Sequence, residues 1–419
     1  MNVTKDQVFL VLGVLSLRTP ATPFSSPSYA MQDPRRCIIT FFALVSFVGG
    51  AFDPMLSSAQ QAPPKPWSLR LFWENDSRPV VPNGTDEHYT QGARIEFAKA
   101  SCGRPWWGGF VGERLKNYFG WDENSPPSCG FADRTPWVAN TGYVIGQNMY
   151  TPRDLLRSDV IVGDRPYAGW VYFGVTFAAA STAQTHALEV DLGTTGPNAY
   201  AGDVQAWFHK YISHGRPPHG WQHQVAGQFA VQSEYEWRHR TFLINASCNG
   251  FCVDALPDWG VALGDVQTFG HAGGIVRFGL NTSGDWPERI PITRSLGELD
   301  AQKAASELSV KGTHLDANGS ASHRNHFFEA YAFVGGDARA VAYNFSLDGN
   351  LFGGVDVART YGVHREPLVG DIEGGLAFRI SAIMLAYRLV VRSHEFSPGD
   401  TRHIYASPTL TISSRWCAP

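Results

Sequence analysis

The chain has 419 residues, a formal net charge of −4, 17 % charged and 13 % aromatic residues, and 43 glycines. That aromatic content excludes a disordered polypeptide, and the charge balance offers no basic field for nucleic acid. The length fits two or three ordinary domains or one large barrel, and the β-branched and aromatic content favours strands.

The first elements read as an export signal. Arg35 and Arg36 precede an apolar stretch from Cys37 to Val48, and Ser57-Ser58-Ala59 supplies the small residues of a cleavage site. Met31 is the natural start of such a signal, which makes residues 1–30 an upstream mis-start and 31–59 the signal. A short membrane anchor is the competing reading, although the apolar core is short for a span. Residues 60–66 form a proline-rich linker, and 67–419 one domain. Six cysteines are present. Export makes disulfides possible: Cys248 and Cys252 close a small loop, and Cys102 with Cys129 a longer one. No spacing resembles a structural zinc site.

From Trp67 onward one theme recurs: about ten residues of alternating polarity, then turn residues. Leu69, Leu71 and Trp73 alternate with Arg70 and Glu74; Leu188, Val190 and Leu192 alternate with Glu189 and Asp191. Period two gives each strand one apolar and one polar face. A sandwich turns the apolar faces inward; an outer-membrane barrel turns them to lipid and keeps the charges in its lumen. Export and the recurring charges favour an all-β, transmembrane antiparallel barrel of about twelve strands. Their starts are expected near Ser68, Tyr89, Tyr143, Trp170, Thr185, Val225, Trp259, Gly273, His326, Leu368, Ile383 and His403. Pro408 interrupts the last strand, which suits an edge or bulge.

One segment breaks the pattern. After Gly196-Pro197-Asn198, Val204, Phe208, Tyr211 and Ile212 follow helical spacing from Ala199 to Ile212, and Gln205 and His209 share a face. This is a short helix in an extracellular loop, either a lid over a site or a packed loop.

Four places carry candidate chemistry. His209 is a candidate general base, since an imidazole accepts a proton near neutral pH; with 14 histidines in the chain, a packing role is the bland reading. Asn75 and Asp76 are adjacent hard oxygen donors of the kind that bind Ca²⁺, or an ordinary strand-end cap. Thr90 either orients a water or is a lumen-facing threonine. If Arg70 and Glu74 face the lumen, Asn75 points outward and Thr90 inward. Asp164-Arg165 either binds phosphate or braces a loop.

Glu74-Asn75-Asp76, Asp86 to Gly92, Gly146-Gln147-Asn148-Met149-Tyr150-Thr151-Pro152, Asp164 to Trp170, Gly193 to Pro197, Val204-Gln205 with His209, and Gly220-Trp221 with Gln224 occur in that order. The set resembles the outer-membrane lipid A 3′-O-deacylase family (the LpxR type). The resemblance implies a twelve-stranded barrel in the bacterial outer membrane that hydrolyses the ester of the 3′-acyloxyacyl chain of lipid A. By motif position it makes His209 the water-activating base, places Ca²⁺ at Asp76 and Asn75, and gives Thr90 an assisting role. Lipopolysaccharide is then the partner and a monomer the expected state. The long segments 101–138 and 281–324 depart from the family pattern and stand as candidates to reshape the substrate entrance. A non-enzymatic porin or adhesin barrel and a soluble β-sandwich are the rival readings.

Overall fold

A computed structural model describes residues 67–76, 88–101, 114, 138–180, 184–244, 250–280, 328–399 and 402–413. The expected signal, linker and Cys102–Cys129 pair lie outside these residues. The strands are β1 (Trp67–Asn75), β2 (His88–Ser101), β3 (Val138–Thr151), β4 (Ala168–Ala180), β5 (Gln184–Thr195), β6 (Phe229–His239), β7 (Thr241–Ile244), β8 (Phe251–Gly264), β9 (Gln267–Leu280), β10 (Phe328–Asn344), β11 (His364–Arg365), β12 (Leu368–Ile380), β13 (Ile383–Arg392), β14 (Phe396–Ser397) and β15 (His403–Ser413). All neighbours pair antiparallel. The ladder closes through β1–β15 and β6–β8, giving a closed barrel of twelve staves. β7 is a short extension beside the lower part of β8, and β11 and β14 form a separate two-stranded ribbon.

The alternation seen in sequence is the wall itself. Phe97, Phe173, Leu188, Leu192, Val261, Leu263, Phe278, Leu376, Phe378 and Leu385 are large apolar side chains left exposed on the outer face, while Arg70, Glu74, Arg94, Glu96, Glu189, Asp254, Arg277, Glu329 and Arg388 are buried inside. A soluble protein would have this the other way round; a lipid-facing barrel requires it. No helix among the described residues is long and apolar enough to cross a membrane, so any crossing falls to the strands.

Ion pairs fill the lumen. Arg94 reaches from β2 to β5, with Nη1 and Nη2 on the two Glu189 oxygens at 2.8 and 2.9 Å. Arg388 on β13 bonds Glu74 on β1 at 2.7 Å and Glu373 on β12 at 3.3 Å. At the end of the barrel where β1 finishes, the chain between β10 and β12 folds over the mouth as two short helices, α2 (Phe345–Asp348) and α3 (Val357–Tyr361). Phe345, Leu347, Val357, Tyr361 and Val363 from that segment bury against Tyr89, Tyr150 and Tyr405 of the wall.

Departures from the expected strand starts have local causes. The strand expected at Trp259 begins at Phe251; Pro257, which hides its first half in the sequence, is tolerated because its missing N–H falls where β8 changes partner, from β7 below to β6 above. The strand expected at Gly273 begins at Gln267, and the one expected at Val225 begins at Phe229, with Val225 buried in the mouth instead. Pro408 sits neither at an edge nor at a bulge: it pairs in register with Tyr387 of β13, and on its other side the β1–β15 ladder is interrupted without a register shift between Phe72–Thr409 and Asn75–Ala406. Cys252 is disulfide-bonded, with its partner outside the described residues.

Arg165 braces the mouth, answering the question left by the Asp164-Arg165 pair. Fully buried, it holds Glu395 at 3.1 Å and Ser346 Oγ at 2.8 Å, while Asp164 caps the backbone N–H groups of Arg153 and Arg165. Burial pushes the Glu395 carboxyl up, but Arg392, Arg165 and Arg339 outweigh it and hold it at about 2 against the ordinary 4.5. Its stabilisation is therefore complete above about 4.5 and lost as pH falls toward about 2. Glu395→Gln is expected to cost about 3–5 kcal/mol, because the Arg165 guanidinium stays buried without its carboxylate while Arg392 keeps only Asp371. The temperature at which the folded form is lost on heat-modifiability gels should drop, and its decline between pH 5 and 2 should flatten.

Candidate active site on the outer rim

The site is assembled outside the barrel wall. In β1 the inward phase runs through Arg70, Phe72 and Glu74, which places Trp73 and Asn75 on the outer face. Even so, Asn75 is only 1 % exposed and Asp76 0 %. The cover comes from the segment after β5. A 3₁₀ turn (Gly196–Ala199) leads through Tyr200, in the left-handed conformation at φ 54°, into helix α1 (Ala201–Phe208), which continues as a π-helical turn (His209–Ser213). The single helix expected from Ala199 to Ile212 is thus three consecutive pieces. π turns recur at functional sites.

The helix lies directly on the wall. A Cβ at Gly169 of β4 would come within 2.7 Å of the Ala201 Cβ, so only glycine admits this approach. Met149 packs with Ala201 and Val204, and Gln147 donates to the Ala199 carbonyl at 2.6 Å. At the far end the Phe208 ring meets Trp73 at 5.9 Å between centroids. His209, the next residue, is thereby held at the rim of β1, where Trp73 stands two residues before Asn75.

A bulge completes the arrangement. Tyr89 pairs with Tyr150 and Gln91 with Met149, leaving Thr90 as the extra residue. Tyr89 faces inward, its hydroxyl donating to Glu74 at 2.7 Å. Thr90 Oγ1 lies 2.5 Å from Thr151 Oγ1, and Thr151 is on the outer phase of β3. The expected inward-facing Thr90 is corrected here: the bulge turns it to the outer face, where its carbonyl accepts from Asn75 Nδ2 at 3.0 Å.

His209 has a defined tautomer. Its Nδ1 lies 2.6 Å from the Arg216 carbonyl oxygen. A carbonyl can only accept, so Nδ1 carries the proton and Nε2 the lone pair. Of the histidines in this segment, His209 is buried, whereas His214 and His219 are exposed and His223 is intermediate. Gln205, one turn earlier, accepts from Trp221 Nε1 at 2.8 Å, fixing the helix to the following 3₁₀ turn (Trp221–His223).

The donor set fits a hard cation. Asp76 is a fully buried carboxylate. Asn75 uses Nδ2 on the Thr90 carbonyl, and its amide oxygen Oδ1 is the atom of the kind a cation takes. Carboxylate and amide oxygens are what Ca²⁺ takes. Asn75, Asp76, Thr90 and His209 therefore share one rim. The segments 101–138 and 281–324 lie outside the described residues apart from 101, 114 and 138; the strand ends that border them, Ser101 paired with Ala139 and Leu280 paired with Ala330, belong to the opposite end of the barrel. Two lumenal cavities, one lined by Tyr331, Phe333, Met384 and Arg388, the other by Gln267, Arg339 and Glu395, include no residue of the rim site.

A closed, lipid-facing β-barrel with a polar cluster on its outer rim is an outer-membrane protein. The chain belongs to the family described as "Outer membrane protein LpxR", whose model matches residues 40–414. Among solved structures it is similar to LpxR from Salmonella typhimurium, at 17 % identity, TM-score 0.56, and coverage of 82 % of this chain and 99 % of that one. The β domain of the Bordetella autotransporter BrkA matches at 10 % identity and TM-score 0.35, covering 83 % of this chain and 98 % of that one. No curated protein sequence matches the chain.

Because Gly169 lets the helix touch the wall, Gly169→Val is expected to lift α1. Limited proteolysis should then cut within 196–228 at least tenfold faster, with heat-modifiable barrel migration unchanged. Unaltered cleavage would separate the helix position from this contact.

Proposed function

We propose that this protein hydrolyses the ester that attaches the 3′-acyloxyacyl chain to lipid A in the outer leaflet, acting as a monomer since one chain supplies every group of the site. The observation that carries this reading is the pairing of a tautomer-fixed His209 with buried Asn75 and Asp76 on the membrane-facing rim, in a chain of this family. His209 Nε2 accepts a proton from water, and the hydroxide adds to the ester carbonyl carbon. The bond from that carbon to the sugar oxygen then breaks, and the proton passes from the imidazolium to the departing oxygen. The products are a free acyloxyacyl acid and a 3′-hydroxyl. The Arg216 carbonyl holds the ring through this cycle, since its bond to Nδ1–H strengthens as the ring becomes positive. Asp76 and Asn75 Oδ1 would hold calcium, which supplies positive charge beside the ester carbonyl oxygen when bound. Thr90 sits between Asn75 and Thr151 and positions the amide through its carbonyl.

A porin is disfavoured by the capped mouth and by the ion pairs that cross the lumen. A soluble sandwich is inconsistent with closure of the ladder.

His209→Ala is expected to lower deacylation by about 10²–10⁴-fold while the barrel still assembles. Mass spectrometry of lipid A from cells expressing each form reads the loss of one acyloxyacyl unit; full activity in the variant would reject His209 as base. Chelation is expected to abolish turnover of purified protein and Ca²⁺ to restore it. Asp76→Asn should raise the Ca²⁺ concentration for half-maximal rescue by at least tenfold, whereas turnover indifferent to chelation would remove the metal from the reading.

A further inference from the structure

On the lumenal face, far from the rim histidine in the strand order, β8, β9 and β10 bring together Asp258, His271 and Asp337. The register accounts for it. Gly273 on the middle strand pairs with Asp258 on one side and with Asp337 on the other. The two carboxylates thus stand at one level with a glycine between them, and His271, two residues along the same face, reaches across. Its Nδ1 is 2.9 Å from Asp337 Oδ2 and 3.7 Å from Asp258 Oδ1. One donor atom from each residue lies within 4.8 Å of the others, and all three side chains are buried. The ring has its place because Gly260 faces it: a Cβ there would fall 2.3 Å from His271 Nε2.

This cluster differs from the rest of the lumen in what sits between the acids. Elsewhere a guanidinium meets the carboxylate directly, as in Arg277 Nε to Asp254 at 2.8 Å, Arg94 to Glu189 at 2.8 Å and Arg392 Nε to Asp371 at 2.8 Å. Arg339 borders the cluster, giving Nη2 to Asp371 at 2.6 Å and pairing through Nε with Asp337 Oδ1 at 3.6 Å. Between Asp258 and Asp337 the central group is an imidazole, whose ring nitrogens are common metal ligands. Two carboxylates and this ring converge on one point, and Nδ1 can serve a metal in place of its proton.

We infer that Asp258, His271 and Asp337 form a binding site for a divalent cation of the zinc class inside the barrel, separate from the rim site. One imidazole nitrogen with two carboxylate oxygens suits zinc, which takes such ligands at about 2.0–2.2 Å; calcium and magnesium take oxygen alone. Ligands at that distance stand about 3.0–3.6 Å apart, so the three donors need shift by only about an ångström to enclose an ion. Water completes the shell. The ion ties three consecutive staves at one level and replaces the proton that otherwise bridges His271 and Asp337. The site does not rest on the deacylase reading.

The test is Zn²⁺ titration of the full-length, detergent-solubilised protein at pH 7.5 with excess Ca²⁺ present, read by calorimetry and by metal content after gel filtration. One equivalent is expected in the wild-type protein and in His209→Ala. His271→Gln and, separately, Asp258→Asn should weaken it on the order of 100-fold, as metal sites sensitive even to their outer shell imply, with heat-modifiable migration showing that each barrel is closed. If either variant fails to assemble, Co²⁺ loaded into His209→Ala protein supplies the answer through a visible absorption band that Zn²⁺ displaces. Zn²⁺ bound equally by His271→Gln, a site lost in His209→Ala instead, or no band with Co²⁺ would each overturn the inference.

Discussion

Within hydrocarbon, water satisfies no backbone N–H or C=O, and that constraint governs everything else in this protein. A sheet survives there only if its first and last strands find each other. Here β1 pairs with β15 and the two halves join at β6–β8. Closure fixes which side chains look inward, and so which must be neutralised by a partner rather than by solvent. The lumenal Arg–Glu and Arg–Asp contacts follow from it. So does the placement of the rim residues, because a closed wall has an outer face on which something can be laid.

The covered patch on that outer face is produced by two small irregularities. One is the bulge at Thr90, which moves a hydroxyl and a carbonyl to the side where Asn75 lies. The other is the glycine at 169, which lets α1 descend onto β4. Between them they set Thr90 against Asn75 and bring Phe208 against Trp73 of β1. Trp73 against Phe208 contributes about 0.5–1.5 kcal/mol beyond its burial and sets where along the rim the imidazole is held.

Much of this was legible from residue order. Period two exposes each stave because every strand has one lipid face, and the number of staves follows from counting such runs. Strand starts were blurred where the signal is locally diluted: Pro257 hides the first half of β8, and the glycines of β9 at 270, 273 and 274 carry no polarity to alternate. Asn75, Asp76 and His209 could be singled out from their types and order. The facing of Thr90 could not, since a bulge is a property of two paired strands rather than of one. The π turn at His209–Ser213 and the Arg216 carbonyl behind the ring are likewise set by tertiary contact. The grouping of Asp258, His271 and Asp337 spans 79 residues and exists only through the register of three strands (337 − 258).

The plug of α2 and α3 in the mouth has a consequence for the cell that carries it. An aqueous pore trades protection for traffic, and every added copy makes the envelope leakier to toxic solutes and antibiotics. A stoppered cylinder escapes that trade. Its abundance can rise or fall with need, and the permeability of the surface layer stays where the true channels have set it.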